Sequence, residues 1–230
     1  MSNKNYGESK MYTITSYIMW FCLSSVLFVL LNIPTLFLLF FARNINDLKN
    51  FGILAPILLL TIGPSFTALL YSMGKLYREK EISVIKTFFK GYKISFIQSL
   101  IVWALQVALT YFLIIDISFL SKLGTNPYLI SLWYSLIFLV FLTTIHTYPI
   151  ISRFSMKTID VLKLSFLYSI KKFYITAADI AFMGLIFYLF LKYPTIVIFF
   201  GPAVFAYLIM LNENNIIKEI EERIENKSGN

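Results

Sequence analysis

Long apolar segments alternate with short charged ones along most of the chain. A transmembrane helix needs roughly 20 mostly apolar residues to cross a hydrocarbon layer of about 30 Å. Cutting the sequence at its charged residues leaves six candidate spans. They are residues 17–42, 51–74, 94–115, 128–152, 173–191 and 193–211. The pattern predicts an all-α fold, namely a polytopic membrane helical bundle with six transmembrane helices. The last two spans are expected to form either two full crossings or a re-entrant hairpin.

The composition also indicates a membrane protein. Of the 230 residues, 58% are hydrophobic and 14% are charged, whereas soluble domains average about 45–50% apolar and about 25% charged residues. A soluble fold of this size cannot bury so much apolar surface, so lipid must cover part of it. The first span is longer than the core of a signal peptide and has no small-residue cleavage site, so we expect an uncleaved anchor.

The distribution of basic residues predicts the orientation of the bundle. The net charge is +8, and 16 of the 20 Lys and Arg residues lie in the N-terminal segment, the loops after the second and fourth spans, and the C-terminal tail. Basic loops face the cytoplasm, so both termini are expected there. Residues 1–16 are then a cytoplasmic segment, 17–211 the membrane domain and 212–230 an acidic cytoplasmic tail. The positive charge reflects topology, and we expect no nucleic-acid partner.

The basic loop after the second span contains an amphipathic stretch. Phe88, Phe89 and Tyr92 fall on one predicted helical face, and Lys90 and Lys93 fall on the other. Rings in the headgroup layer with ammonium groups toward anionic lipid are typical of an interfacial helix. The segment is predicted either to cover the base of the bundle or to dock onto a partner protein.

The acidic tail keeps a helical pattern. Ile216, Ile220 and Ile224 recur every four residues, which predicts a short cytosolic helix with one apolar face. That face either packs on the protein's own loops or binds another molecule.

Two ionisable residues lie inside the predicted spans at matching depth. His146 precedes Arg153 by seven residues, and Asp179 follows Lys172 by seven residues in the next span, which runs in the opposite direction. Seven helical residues correspond to about 10 Å. His146 and Asp179 are therefore candidates for a buried polar pair, which either fixes helix register or relays protons.

Proline and glycine interrupt three spans near the predicted membrane midplane. Gly63 and Gly201 each begin a Gly-Pro-x-x-x-Ala-x-Leu segment. Proline frees a backbone carbonyl that must find a donor or line a cavity, and broken helices form the midplane sites of many transporters. Packing kinks are the alternative. The candidate midplane substrate site consists of Asn32, Pro34, Gly63, Pro64, Gly201 and Pro202.

The sequence offers little support for an enzyme. It has one histidine and one cysteine, Cys22, and it lacks zinc-protease, nucleophile-elbow, P-loop and dinucleotide-binding motifs. A catalytic membrane cavity would have to join His146, Asp179 and Asp116, yet Asp116 is predicted at the opposite membrane face. We expect no catalytic residue, no metal site and no cofactor.

Several segments resemble the membrane domain of the YesL family. They are residues 62–71 (IGPSFTALLY), 86–99 (KTFFKGYKISFIQS) and 116–119 (DISF), together with the Asn-Ile-Pro of residues 32–34. The resemblance implies a multi-pass protein of the bacterial inner membrane without established activity, associated with carbohydrate uptake by ABC transporters. The implied partners are the sugar permease subunits.

Two functions are consistent with these patterns. One is an accessory or regulatory role in carbohydrate uptake, which the family resemblance implies. The other is an independent small-solute transporter that uses the midplane residues.

Overall fold

The computed structural model describes residues 3–41, 51, 54–123 and 127–228. Within these ranges the secondary structure is helical and contains no strand, which confirms the all-α prediction. The helices are α1 Asn3–Leu31, α2 Ile33–Phe41, α3 Leu54–Leu59, α4 Ile62–Glu79, α5 Val84–Lys122, α6 Pro127–Arg153, α7 Thr158–Lys171, α8 Phe173–Lys192, α9 Pro194–Asn212 and α10 Asn214–Ser228.

Six helical segments are long and apolar enough to cross a membrane, as predicted. They are Met11–Leu31, Leu54–Glu79, Val84–Lys122, Pro127–Arg153, Phe173–Lys192 and Pro194–Asn212. Large apolar side chains remain exposed on their outer faces, among them Ile101, Leu105 and Phe112. An exposed apolar surface of this kind is suited to lipid. The last two segments are separate helices of 20 and 19 residues, each about 30 Å long and thus sufficient for a full crossing.

Two of the predicted spans are divided by breaks. The first breaks at Asn32, between α1 and α2, and the second breaks after Leu59, between α3 and α4. Pro34 and Pro64 lie in the first turns of α2 and α4, where a missing backbone N–H costs no helical hydrogen bond. Residue 42, the predicted end of the first span, lies outside the described residues.

The third span begins earlier than predicted. The amphipathic stretch is not a separate helix but the start of α5, which runs without interruption for 39 residues. Phe88 is fully buried, and a Cβ on Gly91 would lie 2.6 Å from Cδ1 of Tyr71 on α4. One side of this part of α5 thus packs closely against α4. Lys90 and Lys93 lie on its exposed side, so their charges do not interrupt the helix.

Helix α4 lies at the centre of the main core. Its buried side chains pack with Tyr148 of α6 and with Ala203 and Ala206 of α9. The rings of Phe66 and Phe205 stack with their centroids 6.2 Å apart, so the two Gly-Pro-x-x-x-Ala-x-Leu segments meet in the core. Small residues such as alanine let membrane helices approach closely.

Helices α7 and α10 close one end of the bundle, which we call the basal end. Ile216 and Ile220 of α10 are buried in one cluster with Val161 and Tyr168 of α7, whereas Ile224 stays exposed. The predicted apolar face of the tail thus packs largely on the protein itself.

Ion pairs hold the tail at this end. Lys171, Lys172 and Arg223 surround the carboxylate of Glu219, with the shortest distance, 2.7 Å, from Nζ of Lys171. The hydrogen bond from Lys171, reinforced by the positive charge of all three cations, lowers the pKa of Glu219 below its usual value of 4.5. The carboxylate is therefore charged at neutral pH, where it joins α10 to the residues around the α7–α8 junction.

Candidate functional site

A buried polar cluster lies where α6, α8 and α9 approach the basal end. His146 of α6 is fully buried. Its Nδ1 lies 2.5 Å from Oε1 of Glu213, and its Nε2 lies 2.8 Å from Oγ1 of Thr176 on α8. Both ring nitrogens are therefore engaged, which fixes the plane of the imidazole.

Glu213 occupies the junction between α9 and α10. Its backbone N–H caps α9 by donating to the carbonyl of Ile209, and its side chain is fully buried. The composition of residues 212–230 predicts a polar tail and does not indicate this role for Glu213. A signal was present, because Glu213 precedes Ile216 by three residues and Ile220 by seven and so shares their helical face. Because the face that carries Ile216 and Ile220 packs on the bundle, Glu213 at the start of that face is buried as well.

Asp179 of α8 completes the cluster. It is 2% exposed, and its Oδ1 accepts a hydrogen bond of 2.9 Å from the side-chain amide of Asn212. Asn212 also donates to the carbonyl of Ile175. The Asp179 carboxyl group lies close enough to Glu213 and His146 for their charges to act on it. The two remaining carboxyl oxygens, Asp179 Oδ2 and Glu213 Oε2, are buried without a hydrogen-bond partner among the described residues.

The predicted polar pair is therefore part of a larger group. His146 and Asp179 lie in one cluster, but the imidazole contacts Glu213 and Thr176 directly. No hydrogen bond joins His146 to Asp179 within the described part of the chain. Across residues 3–41, 51, 54–123 and 127–228, no three His, Cys, Asp or Glu side chains form a group that could hold a metal ion.

The cluster holds three ionisable side chains away from solvent. A carboxylate only accepts hydrogen bonds, so Nδ1 of His146 donates to an ionised Glu213. Charged groups in a low-dielectric interior are costly unless they are paired and hydrogen-bonded. The arrangement therefore pairs the imidazole with one carboxyl group, while the second carboxyl group accepts its hydrogen bond from Asn212.

The midplane candidates on α1 to α4 form a separate polar network. Nδ2 of Asn32 donates to the carbonyl of Phe28 at 2.8 Å and to Oγ of Ser65 at 2.7 Å. Its Oδ1 accepts a hydrogen bond from Thr61 at 3.2 Å. Asn32 therefore connects the two helix breaks. It bonds to Ser65, which lies 33 residues later in the sequence.

The carbonyls freed at the second break also have donors. Thr35 donates to the carbonyl of Leu58, and Nε1 of Trp103 on α5 donates to that of Leu59 at 2.7 Å. A Cβ on Gly63 would lie 2.5 Å from Cβ of Trp103. The space beside Gly63 is therefore filled by Trp103, whose indole N–H bonds to the Leu59 carbonyl at the helix break.

The Gly-Pro pair of α9 lies apart from this network. A Cβ on Gly201 would meet Val197 of its own helix at 2.4 Å. Just beyond Pro202, the backbone N–H of Ala203 donates to Oγ of Ser25 on α1. Within the described residues, no hydrogen bond links Gly201 or Pro202 to Asn32.

The candidate partner surface on α5 divides into two parts. Phe88 belongs to the core and Tyr92 is half-buried, whereas Phe89, Lys90 and Lys93 are exposed. Only the exposed residues are accessible to lipid or to another protein.

Comparison with known protein families gives a match to part of the chain. Residues 21–117 match a family described as "Protein of unknown function, DUF624". The matched segment covers less than half of the chain, runs from α1 into α5, and ends before His146, Asp179 and Glu213. No curated protein and no solved structure matches the chain. The similarity therefore supports a family of unknown function for this segment and assigns no role to the polar cluster.

Substitutions at Asp179 test its hydrogen bond to Asn212. Asp179→Asn should unfold at nearly the same midpoint as the native protein at pH 7, because the amide keeps the side-chain shape and its oxygen can still accept from Asn212. Asp179→Ala should lose about 1–3 kcal/mol of stability, because it removes the acceptor for a buried amide. Denaturant unfolding in a mild detergent measures both. Equal losses in the two variants would show that the carboxyl group itself is required.

Substitutions at two glycines test the close packing at the second break. Gly63→Ala should destabilise the protein by about 1–3 kcal/mol, because the new methyl group overlaps the Trp103 side chain. Gly184 is the matched control, since a Cβ there has no atom within 4 Å. Gly184→Ala should stabilise α8 by about 0.5–1 kcal/mol. Thermal unfolding followed by tryptophan fluorescence compares them, and an unchanged midpoint for Gly63→Ala would contradict the packing argument.

Proposed function

We propose that this protein is a non-enzymatic accessory or regulatory component of a carbohydrate ABC uptake system in the bacterial inner membrane, with both termini in the cytoplasm. The resemblance of residues 62–71 and 86–99 to the YesL family supports this role, and both segments lie within the stretch that matches the family of unknown function. The concentration of basic residues at the basal end supports the orientation.

The observation that carries the proposal is the exposed surface at the start of α5. Phe89, Lys90 and Lys93 project from a helix whose opposite side is fixed in the core by Phe88. At 39 residues, α5 is about 58 Å long and extends well past a hydrocarbon layer of about 30 Å. Exposed aromatic side chains are typical of protein interfaces, and the two ammonium groups can pair with acidic residues of a neighbouring subunit.

Co-purification tests the proposed partnership. Affinity capture of the tagged full-length protein from its native membranes, after mild crosslinking, should recover sugar permease subunits. The variant Phe89→Ala, Lys90→Glu, Lys93→Glu should recover at least tenfold less, because it removes the ring and reverses two charges. Lys122→Glu, an exposed residue at the far end of α5, is the control and should recover native amounts. Isolation of the native chain alone would refute the proposal.

The second candidate is an independent, proton-coupled transporter of a small solute. The buried cluster favours it, because ionisable groups inside a membrane bundle commonly belong to proton or substrate pathways. In this alternative the solute site would use Asn32, Pro34, Gly63, Pro64, Gly201 and Pro202.

Flux measurements test the transporter. Proteoliposomes with an imposed proton gradient should accumulate labelled sugar, and Asp179→Asn should abolish gradient-driven accumulation because it removes a titratable group. Asp116→Asn, in the distal half of α5, is the control and should leave flux intact. Pro64→Ala combined with Pro202→Ala should also abolish uptake. Absence of flux for sugars in the native protein would eliminate this candidate.

A further inference from the structure

An open cleft of about 330 Å³ lies at the basal end, separate from the buried polar cluster. It is bordered by the ends of α4, α6 and α9 and by the first turns of α10. Four cationic side chains line it, together with a single carboxylate. They are Arg78, Lys80, Arg153, Lys218 and Glu221.

The cleft lining carries more positive than negative charge, with four cations against one carboxylate. Glu221 directs its hydrogen bonds to Arg153, at 2.9 and 2.7 Å. Arg78, Lys80 and Lys218 have no carboxylate within ion-pair distance in the described part of the chain. Arg78 is close enough to Arg153 for their charges to repel, although Glu221 and Glu79 partly offset this repulsion. A bound anion would relieve this repulsion.

The backbone around the cleft accommodates these cations. Lys80 ends α4 in the left-handed conformation, with φ 65°, and its N–H caps the carbonyl of Leu76. Glycine is the residue that usually occupies such a position, because a side chain is unfavourable there. Gly74, one turn before Arg78, has no side chain, and a Cβ there would lie 3.3 Å from Nη1 of Arg78 and 2.6 Å from Cε of Met210.

We propose that this cleft binds a phosphate-bearing anion. Guanidinium groups match the geometry of phosphate oxygens, and lysine ammonium groups add charge without demanding a fixed direction. The volume is at the lower end of the range for small-molecule sites, which is about 300–1,000 Å³, and it accommodates a phosphate with a small organic group. The anion is either the headgroup of an acidic lipid or a soluble phosphorylated molecule. The inference does not depend on the proposed accessory role.

A soluble-ligand experiment tests the site with inorganic phosphate and pyrophosphate. The full-length protein in neutral detergent should show a saturable rise in melting temperature with either anion, relative to sodium chloride at equal ionic strength. Arg78→Gln with Lys218→Gln should weaken the apparent affinity at least tenfold. Lys86→Gln with Lys163→Gln removes the same charge from exposed positions outside the cleft, and this control should behave like the native protein.

A lipid experiment distinguishes the two sources of phosphate. Nanodiscs of phosphatidylglycerol should stabilise the native protein more than nanodiscs of phosphatidylcholine if the ligand is a headgroup, and the double variant should lose that difference. Saturable stabilisation by soluble phosphate without a lipid effect would identify a soluble ligand. Either result supports the site. The proposal is wrong if the double variant responds like the native protein in both experiments, or if the native protein responds in neither.

Lys80→Gly provides a second test that does not compromise folding. Glycine adopts the left-handed conformation readily, so this variant should melt close to the native temperature without ligand. It should nevertheless bind phosphate several-fold more weakly, because it removes one of the four cations. Native affinity in both this variant and the double variant would overturn the assignment.

Discussion

The contact between His146 and Glu213 determines how the basal end of this bundle is built. Both side chains are fully buried, and an ionisable group without its partner in such a place costs about 3–5 kcal/mol. The contact joins α6, about two turns before its end, to the junction that follows α9. Thr176 and Asp179 attach α8 to the same region. The direction in which the tail leaves α9 follows from the contact between His146 and Glu213, since Glu213 points inward only if α10 turns across the base.

Away from the basal end, buried polar groups also need hydrogen-bond partners, and there the partners are uncharged. Two transmembrane segments are interrupted, and each interruption exposes backbone groups that lipid cannot satisfy. Asn32, Thr35 and Trp103 supply the hydrogen-bonding groups, and close packing at Gly63 brings Trp103 near enough to do so. The bundle therefore tolerates breaks because side chains from neighbouring helices replace the missing backbone bonds.

Sequence patterns predicted the features that depend on local composition, namely the transmembrane spans and the apolar face of the tail. Six spans follow from apolar length, and the apolar face of the tail follows from isoleucines at helical spacing. Charges gave misleading boundaries, because Lys90 and Lys93 interrupt an apolar pattern but not the helix, whose buried side is set by contact with α4. The matching depths of His146 and Asp179 correctly predict that they lie in one region. The contact between His146 and Glu213 could not be predicted in this way, because burial of Glu213 depends on where α10 packs.

The order of these groups along the chain has a consequence for biogenesis. His146 and Asp179 leave the ribosome before Glu213 does, because chains are made from the N-terminus. During that interval α6 and α8 carry polar side chains while Glu213 has not yet reached the bundle. The nascent bundle must therefore shelter them with water, lipid headgroups or the insertion machinery until the end of α9 emerges. Completion of the basal end is a late step in the assembly of this protein.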